Sequence, residues 1–133
     1  MNVSQTLAPA SKIIMTLSAY VLGISGLSLL FFPEEIMEFL TQSNQNAILL
    51  QIIGAAYFGF AMSNWTAKHS IMGGIYGRAI LIGNLSHFMT GGILITKYYL
   101  KTSNTTFLII SIVYILFLIT FGYLFMNNPK TVK

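Results

Sequence analysis

The chain has 133 residues, 55% of them hydrophobic and only 8% charged, against roughly a quarter charged in an ordinary soluble domain. The balance argues against a water-soluble fold of this size. The formal charge of +4 is carried by Lys12, Lys68, Arg78, Lys97, Lys101, Lys130 and Lys133, scattered singly between apolar runs, so nothing clusters to track a phosphate backbone and no nucleic-acid partner is expected.

Charge-free stretches cover 13–33, 39–67, 79–96 and 102–129, and a helix needs about 20 apolar residues to cross a bilayer. Four spans are therefore predicted, at 13–32, 47–66, 73–96 and 106–126. Apolar residues surround each run on all sides rather than alternating, so a β-barrel is excluded. The predicted fold is all-α: an integral membrane four-helix bundle forming one domain over residues 1–133, with no internal repeat.

Span one is too long for a signal-peptide core of about 7 to 15 residues. It also ends in Leu30, Phe31, Phe32 and Pro33 without a small-residue cleavage site, and is read as a membrane helix. Ala19, Gly23 and Gly26 form its expected packing seam. Next, Pro33 at a first helical position, Glu34, Glu35 and Glu38, and apolar Ile36, Phe39 and Leu40 predict a short interfacial helix at the outer surface. The three Glu are read as solvated and favoured by the helix N-terminus rather than as a metal or acid/base cluster. Thr41 to Asn46 is polar and predicts a loop.

Lipid tails are as apolar as Leu, so membrane helices associate through small residues and interhelical hydrogen bonds. On that ground Ile48, Ile52, Ala55, Gly59 and Ser63 are the expected packing face of span two, and Ser111, Ile115, Leu118 and Gly122 that of span four. Span three carries the most specific stripe: Gly73, Gly77, Ile80, Asn84, His87 and Gly91 recur at three- and four-residue spacing, one helix face. That face is expected to turn toward the bundle.

Asn84 and His87 lie one turn apart near mid-span, where an unsatisfied polar group is costly. Either they hydrogen-bond to Ser or Tyr on neighbouring helices, Tyr57 or Tyr114 being available, or they belong to a ligand site, a proton or ion path, or a haem. Haem is the weakest reading, because the only other histidine, His69, falls in a loop. Arg78 lies about 140° round the helix from the stripe centre, with Ile82, Leu85 and Met89. It is expected to snorkel to the headgroups. All three Glu fall on the opposite side, so its counter-ion is a lipid phosphate, the terminal carboxylate, a partner subunit or a bound anion. Asn64, Arg78, Asn84 and His87 are thus the candidate polar intramembrane site.

Five bases, Lys12, Lys68, Arg78, Lys130 and Lys133, fall on one side of the four spans and two, Lys97 and Lys101, on the other. The positive-inside rule then places both termini and the 67–72 loop in the cytoplasm. Trp65, Tyr98 and Tyr99 sit where the two interfacial aromatic belts would lie. With no Cys, no Asp and two His, disulfides, thiolate chemistry, Ser/His/Asp catalysis and most metal sites cannot be assembled in one chain. No catalytic residue, metal or cofactor is expected.

Asn64, Trp65 and Ala67, then Gly73, Gly74, Ile75, Tyr76, Gly77 and Arg78, then Asn84 and His87, together with Phe32, Pro33, Glu34 and Glu35, resemble a pattern of small, uncharacterised bacterial four-helix membrane proteins. The outline is also similar to DoxX-like four-span families. The resemblance implies a multi-pass protein of the bacterial inner membrane and no particular reaction. Three functions stay open. One is a non-enzymatic subunit that binds lipid or a small ligand, or forms a channel-like path as a homo-oligomer or within a larger membrane complex. A second is a membrane enzyme or redox accessory acting on a lipid or quinone through His87 and Arg78. The third is an assembly factor.

Overall fold

A computed structural model describes residues 3–41, 47–70 and 72–127, with side chains from residue 10 onward. It consists of α1 (Val3–Phe31), α2 (Pro33–Thr41), α3 (Ala47–Ala67), α4 (Ile75–Thr102) and α5 (Thr105–Asn127), with no strand among the described residues. Ala10–Phe31 of α1 and the whole of α3, α4 and α5 are long and apolar enough to cross a membrane. The chain is an all-α, multi-pass membrane protein. Most of the predicted 41–46 loop, and Lys130 and Lys133 of the base count, lie outside the described residues.

Helix ends follow local chemistry more than hydropathy. Pro33 has no N–H to offer and occupies the first position of α2, which restarts the chain after a break at Phe32. Glu34 and Glu35 follow in the first turn, where the helix dipole favours acids. Lys97 lies inside α4, which ends only at Thr102, six residues beyond the predicted limit at 96. A lysine leaves the hydrocarbon without ending a helix, because its intrinsic helix propensity is good and a cation is favoured near the C-terminus. What ends α4 is Ser103, held left-handed at φ 53°, whose N–H donates to the Tyr99 carbonyl at 2.7 Å. Asn104 then starts α5 by accepting the Thr106 N–H at 2.9 Å. The two-residue turn makes α4 and α5 a tight hairpin.

The chain divides into two compact units, Met15–Lys68 and His69–Lys133 with the first fourteen residues. In the first, Ser18 meets Asn64, Gly26 meets Gly54, and Leu30 meets Gln51, so α1 and α3 run antiparallel. Gly26 and Gly54 are the crossing point: a Cβ on either would stand 2.8 Å from the other's carbonyl oxygen. Only glycine permits this backbone-on-backbone approach. In the second unit Thr96 pairs with Ser111, His87 with Tyr114, and Leu85 faces Gly122, again antiparallel. Here rings fill the seam. Phe88 is buried, stacked with Phe117 at 4.9 Å and Phe121 at 5.6 Å and edge-on to Tyr114 at 5.3 Å.

The buried faces correct the expected seams. Ala19 and Gly26 are buried as anticipated, joined by Met15, Ser18 and Leu22. On α3, Ile48, Ile52, Ala55, Gly59 and Ser63 are all exposed, and the buried face is Gly54, Ala61, Asn64 and Ala67. Both faces contain small residues; what decides is which glycine meets a glycine on α1. On α5, Ser111 is buried but Ile115 is exposed, and Tyr114, Phe121 and Leu124 take the seam.

Candidate functional site

Of the four candidate residues, Asn64 belongs to the α1–α3 unit and Arg78, Asn84 and His87 to the α4–α5 unit. Each is positioned by its helix period. On α4 the fully buried line is Gly77, Leu81, Asn84, Phe88 and Gly92, rotated slightly from the expected stripe. Gly77 and Asn84 therefore face inward, whereas Ile80, His87 and Gly91 are half-buried at its edge. The displacement comes from Phe88, whose bulk claims the seam.

Several polar side chains within the spans are turned onto neighbouring protein atoms. Asn64, fully buried, donates its amide to the Ser18 hydroxyl at 3.0 Å, and Ser18 donates in turn to the Met15 carbonyl at 3.0 Å. This relay ties α3 to α1. The Asn84 amide donates back to the Ile80 carbonyl, one turn earlier, at 2.9 Å. His87 Nε2 and the Tyr114 hydroxyl are 3.3 Å apart, and the imidazole also lies edge-on to Phe88 at 5.1 Å. Thr96 and Ser111 share a hydroxyl–hydroxyl bond between α4 and α5. Gln51 donates to the Leu30 carbonyl at 3.3 Å, where α1 approaches its end.

Arg78 stands apart from these groups. It is exposed in the first turn of α4, with its guanidinium carbon 5.6 Å from the centre of the Phe125 ring on α5, within range of a cation–π contact. Nine residues separate it from His87, which at helical geometry is about 14 Å along the axis and about 180° around it. Arg78 and His87 thus look outward and sideways from opposite faces, and the structure does not bring them together. Asn84 and His87 do share one region, one turn apart.

Ser18 and Thr96 were not singled out from sequence; Ser111 was expected on the span-four packing face, but its partner was not. Their signal was present as isolated hydroxyls inside apolar runs, but pairing them requires the antiparallel register. Phe88 carried no signal, since an apolar side chain in lipid-soluble sequence does not disclose which side it faces.

Each unit also presents an apolar groove. On α1–α3, Tyr20, Phe58, Met62 and Trp65 wall a groove of about 260 Å³ floored by Ala19, Gly23 and Ala61; Tyr20 and Trp65 meet edge to face at 5.7 Å, and the Lys68 ammonium lies over the Trp65 ring. On α4–α5, a groove of about 370 Å³ runs from Met89 to Leu100 over Gly92. Both are shallow troughs, open along the helix surface and almost wholly apolar. Among the described residues no three of His, Cys, Asp and Glu come together as a metal ion would require. No family model matches the chain, and neither does any curated protein or solved structure.

Proposed function

We propose that the chain is a non-enzymatic, multi-pass subunit of a cell membrane that binds lipid or a small apolar ligand along its helix hairpins. One observation carries the reading. Polar side chains tie the helices of both hairpins together, Asn64 to Ser18, His87 to Tyr114 and Thr96 to Ser111, whereas an apolar groove stays open on each. Acid/base work would instead need polar groups converging on a shared space, and Arg78 and His87 diverge from one another.

The base count supports a bacterial inner-membrane orientation with the 67–72 loop and both chain ends cytoplasmic. In that orientation Arg78, with its stem against Phe125, reaches the inner headgroups and takes an anionic lipid there. Association as a homo-oligomer or with a larger membrane complex would bury the apolar surfaces further.

The test is to purify the chain in mild detergent and identify co-purifying lipids and small molecules by mass spectrometry. A stoichiometric apolar ligand is expected. Protein that is folded, stable and free of any retained ligand, even after lipid is added back, would remove the proposal.

A further inference from the structure

We infer that the α4–α5 groove holds one acyl chain of an anionic phospholipid, with the phosphate gripped at Lys97 and Lys101. This rests on the lipid-binding reading and adds the lipid class and its place.

Length is the first ground. From Met89 to Leu100 the groove runs along α4, a rise of about 16 Å at 1.5 Å per residue. Half of a hydrocarbon core about 30 Å thick is about 15 Å. The groove therefore matches one leaflet, the depth of a single acyl chain.

Its lining is the second. Met89, Ile93, Ile115 and Leu118 are apolar, and Gly92 leaves the floor low. The Thr96 hydroxyl in the wall is turned to Ser111, so the groove's body offers a hydrocarbon chain contact without stranding a polar group.

Charge at the mouth is the third. Lys97 lines the groove, and Lys101 follows one turn later on α4; both are exposed, and neither forms an ion pair among the described residues. Like charges at this spacing repel. α4 and α5 themselves contain no acidic side chain to relieve that repulsion, the chain's three, Glu34, Glu35 and Glu38, being carried by α2. A phosphate oxygen between the two ammonium groups does so through charge-assisted bonds. Lysine stems can lie along the apolar wall while their heads reach the phosphate. Two cations at one mouth favour a headgroup with net negative charge over a zwitterionic one, whose own cation they repel.

The experiment is native mass spectrometry of the intact chain in mild detergent, incubated with phosphatidylglycerol or phosphatidylcholine of the same acyl chains. Wild type should retain the anionic lipid at least about fivefold better, the ratio expected for one or two lysines near a headgroup. Lys97→Gln with Lys101→Gln should bring the two lipids level, and Ile115→Trp, an exposed wall residue, should lower retention of both by blocking the groove. Lys68→Gln, on the other hairpin, should leave the preference as it is. Lys97, Lys101 and Ile115 are exposed and Lys68 is half-buried over the Trp65 ring, and circular dichroism with gel filtration checks that the variants fold.

An anionic preference that survives the double lysine variant, or one lost equally in Lys68→Gln, overturns the placement while lipid binding stands. Ile115→Trp that converts dimer to monomer with lipid retention unchanged shows a second copy in the groove and overturns it too. Wild type that retains no lipid removes the underlying reading along with this one.

Discussion

The α1–α3 pair closes on glycine, and the α4–α5 pair closes on aromatic rings. At Gly26 and Gly54 the backbones themselves touch, with nothing between them to adjust. At the other hairpin, Phe88, Phe117, Phe121 and Tyr114 form a stack of side chains, each able to shift by a few tenths of an ångström. In a bilayer neither pair gains from removing apolar surface from water, because the alternative environment is equally apolar. Stability must come from contact itself. A glycine crossing makes many contacts at fixed distance and tolerates no addition; a ring stack makes as many and yields locally. Each hairpin adds polar ties across its seam, Asn64 to Ser18 and Gln51 to the Leu30 carbonyl in the first, Tyr114 to His87 and Thr96 to Ser111 in the second.

Adding bulk at the glycine crossing should therefore do the most damage. In Gly26→Ile the new Cβ stands 2.8 Å from both the Gly54 carbonyl oxygen and the Phe58 nitrogen, and both are backbone atoms. A loss of about 3 kcal/mol is expected, the upper end for overpacking, read by reversible unfolding in mixed micelles. A loss below about 1 kcal/mol would mean that α1 and α3 can slide apart freely, and the contrast with the ring stack would collapse. Phe88→Ala comes next. It leaves a cavity under three rings, but lipid cancels most of the transfer term, so about 2 kcal/mol is expected rather than the 3 to 5 usual in water-soluble cores.

The polar ties should rank below the packing. Asn64→Leu removes the bond to Ser18 at a fully buried position and should cost about 1 to 2 kcal/mol. Tyr114→Phe keeps the ring against Phe88 and deletes only the hydroxyl facing His87, and should cost about 0.6 kcal/mol in the same unfolding assay. If Tyr114→Phe proves as costly as Phe88→Ala, the second hairpin is held by its polar tie, not by its rings.

How far sequence reached depends on which physics governed each feature. Hydropathy located all four long helices, because crossing hydrocarbon demands length and apolarity from contiguous residues. Pro33 with its acids located α2 through local chemistry alone. Asn64, Asn84 and His87 were visible as candidates because amides and imidazoles are rare within the spans. Their partners were not, since Ser18 lies 46 residues from Asn64 and only the register of the pair brings them together. The seams were read least well. Ala55, Gly59 and Ser63 look as suitable as Gly54, Ala61 and Asn64, and nothing in one helix's sequence says which set finds a facing glycine. For the same reason the candidate stripe on α4 came out one step off: Gly91 and His87 marked a small, polar face, while Phe88 took its centre.

The smallest effect is the most discriminating. Gly59 lies on the face expected from sequence to pack, yet a Cβ built there meets nothing within 4 Å. Gly59→Ala should gain rather than lose, by up to about 0.5 kcal/mol, because alanine is the better helix former and no neighbour objects. Gly26→Ala carries the same propensity gain and adds the same single carbon, so the difference between the two variants isolates the cost of close approach. Opposite signs in one unfolding assay are expected. Equal losses at both positions would mean that Gly59 also packs against something, a second copy or a partner, and that the exposed face of α3 is an interface after all.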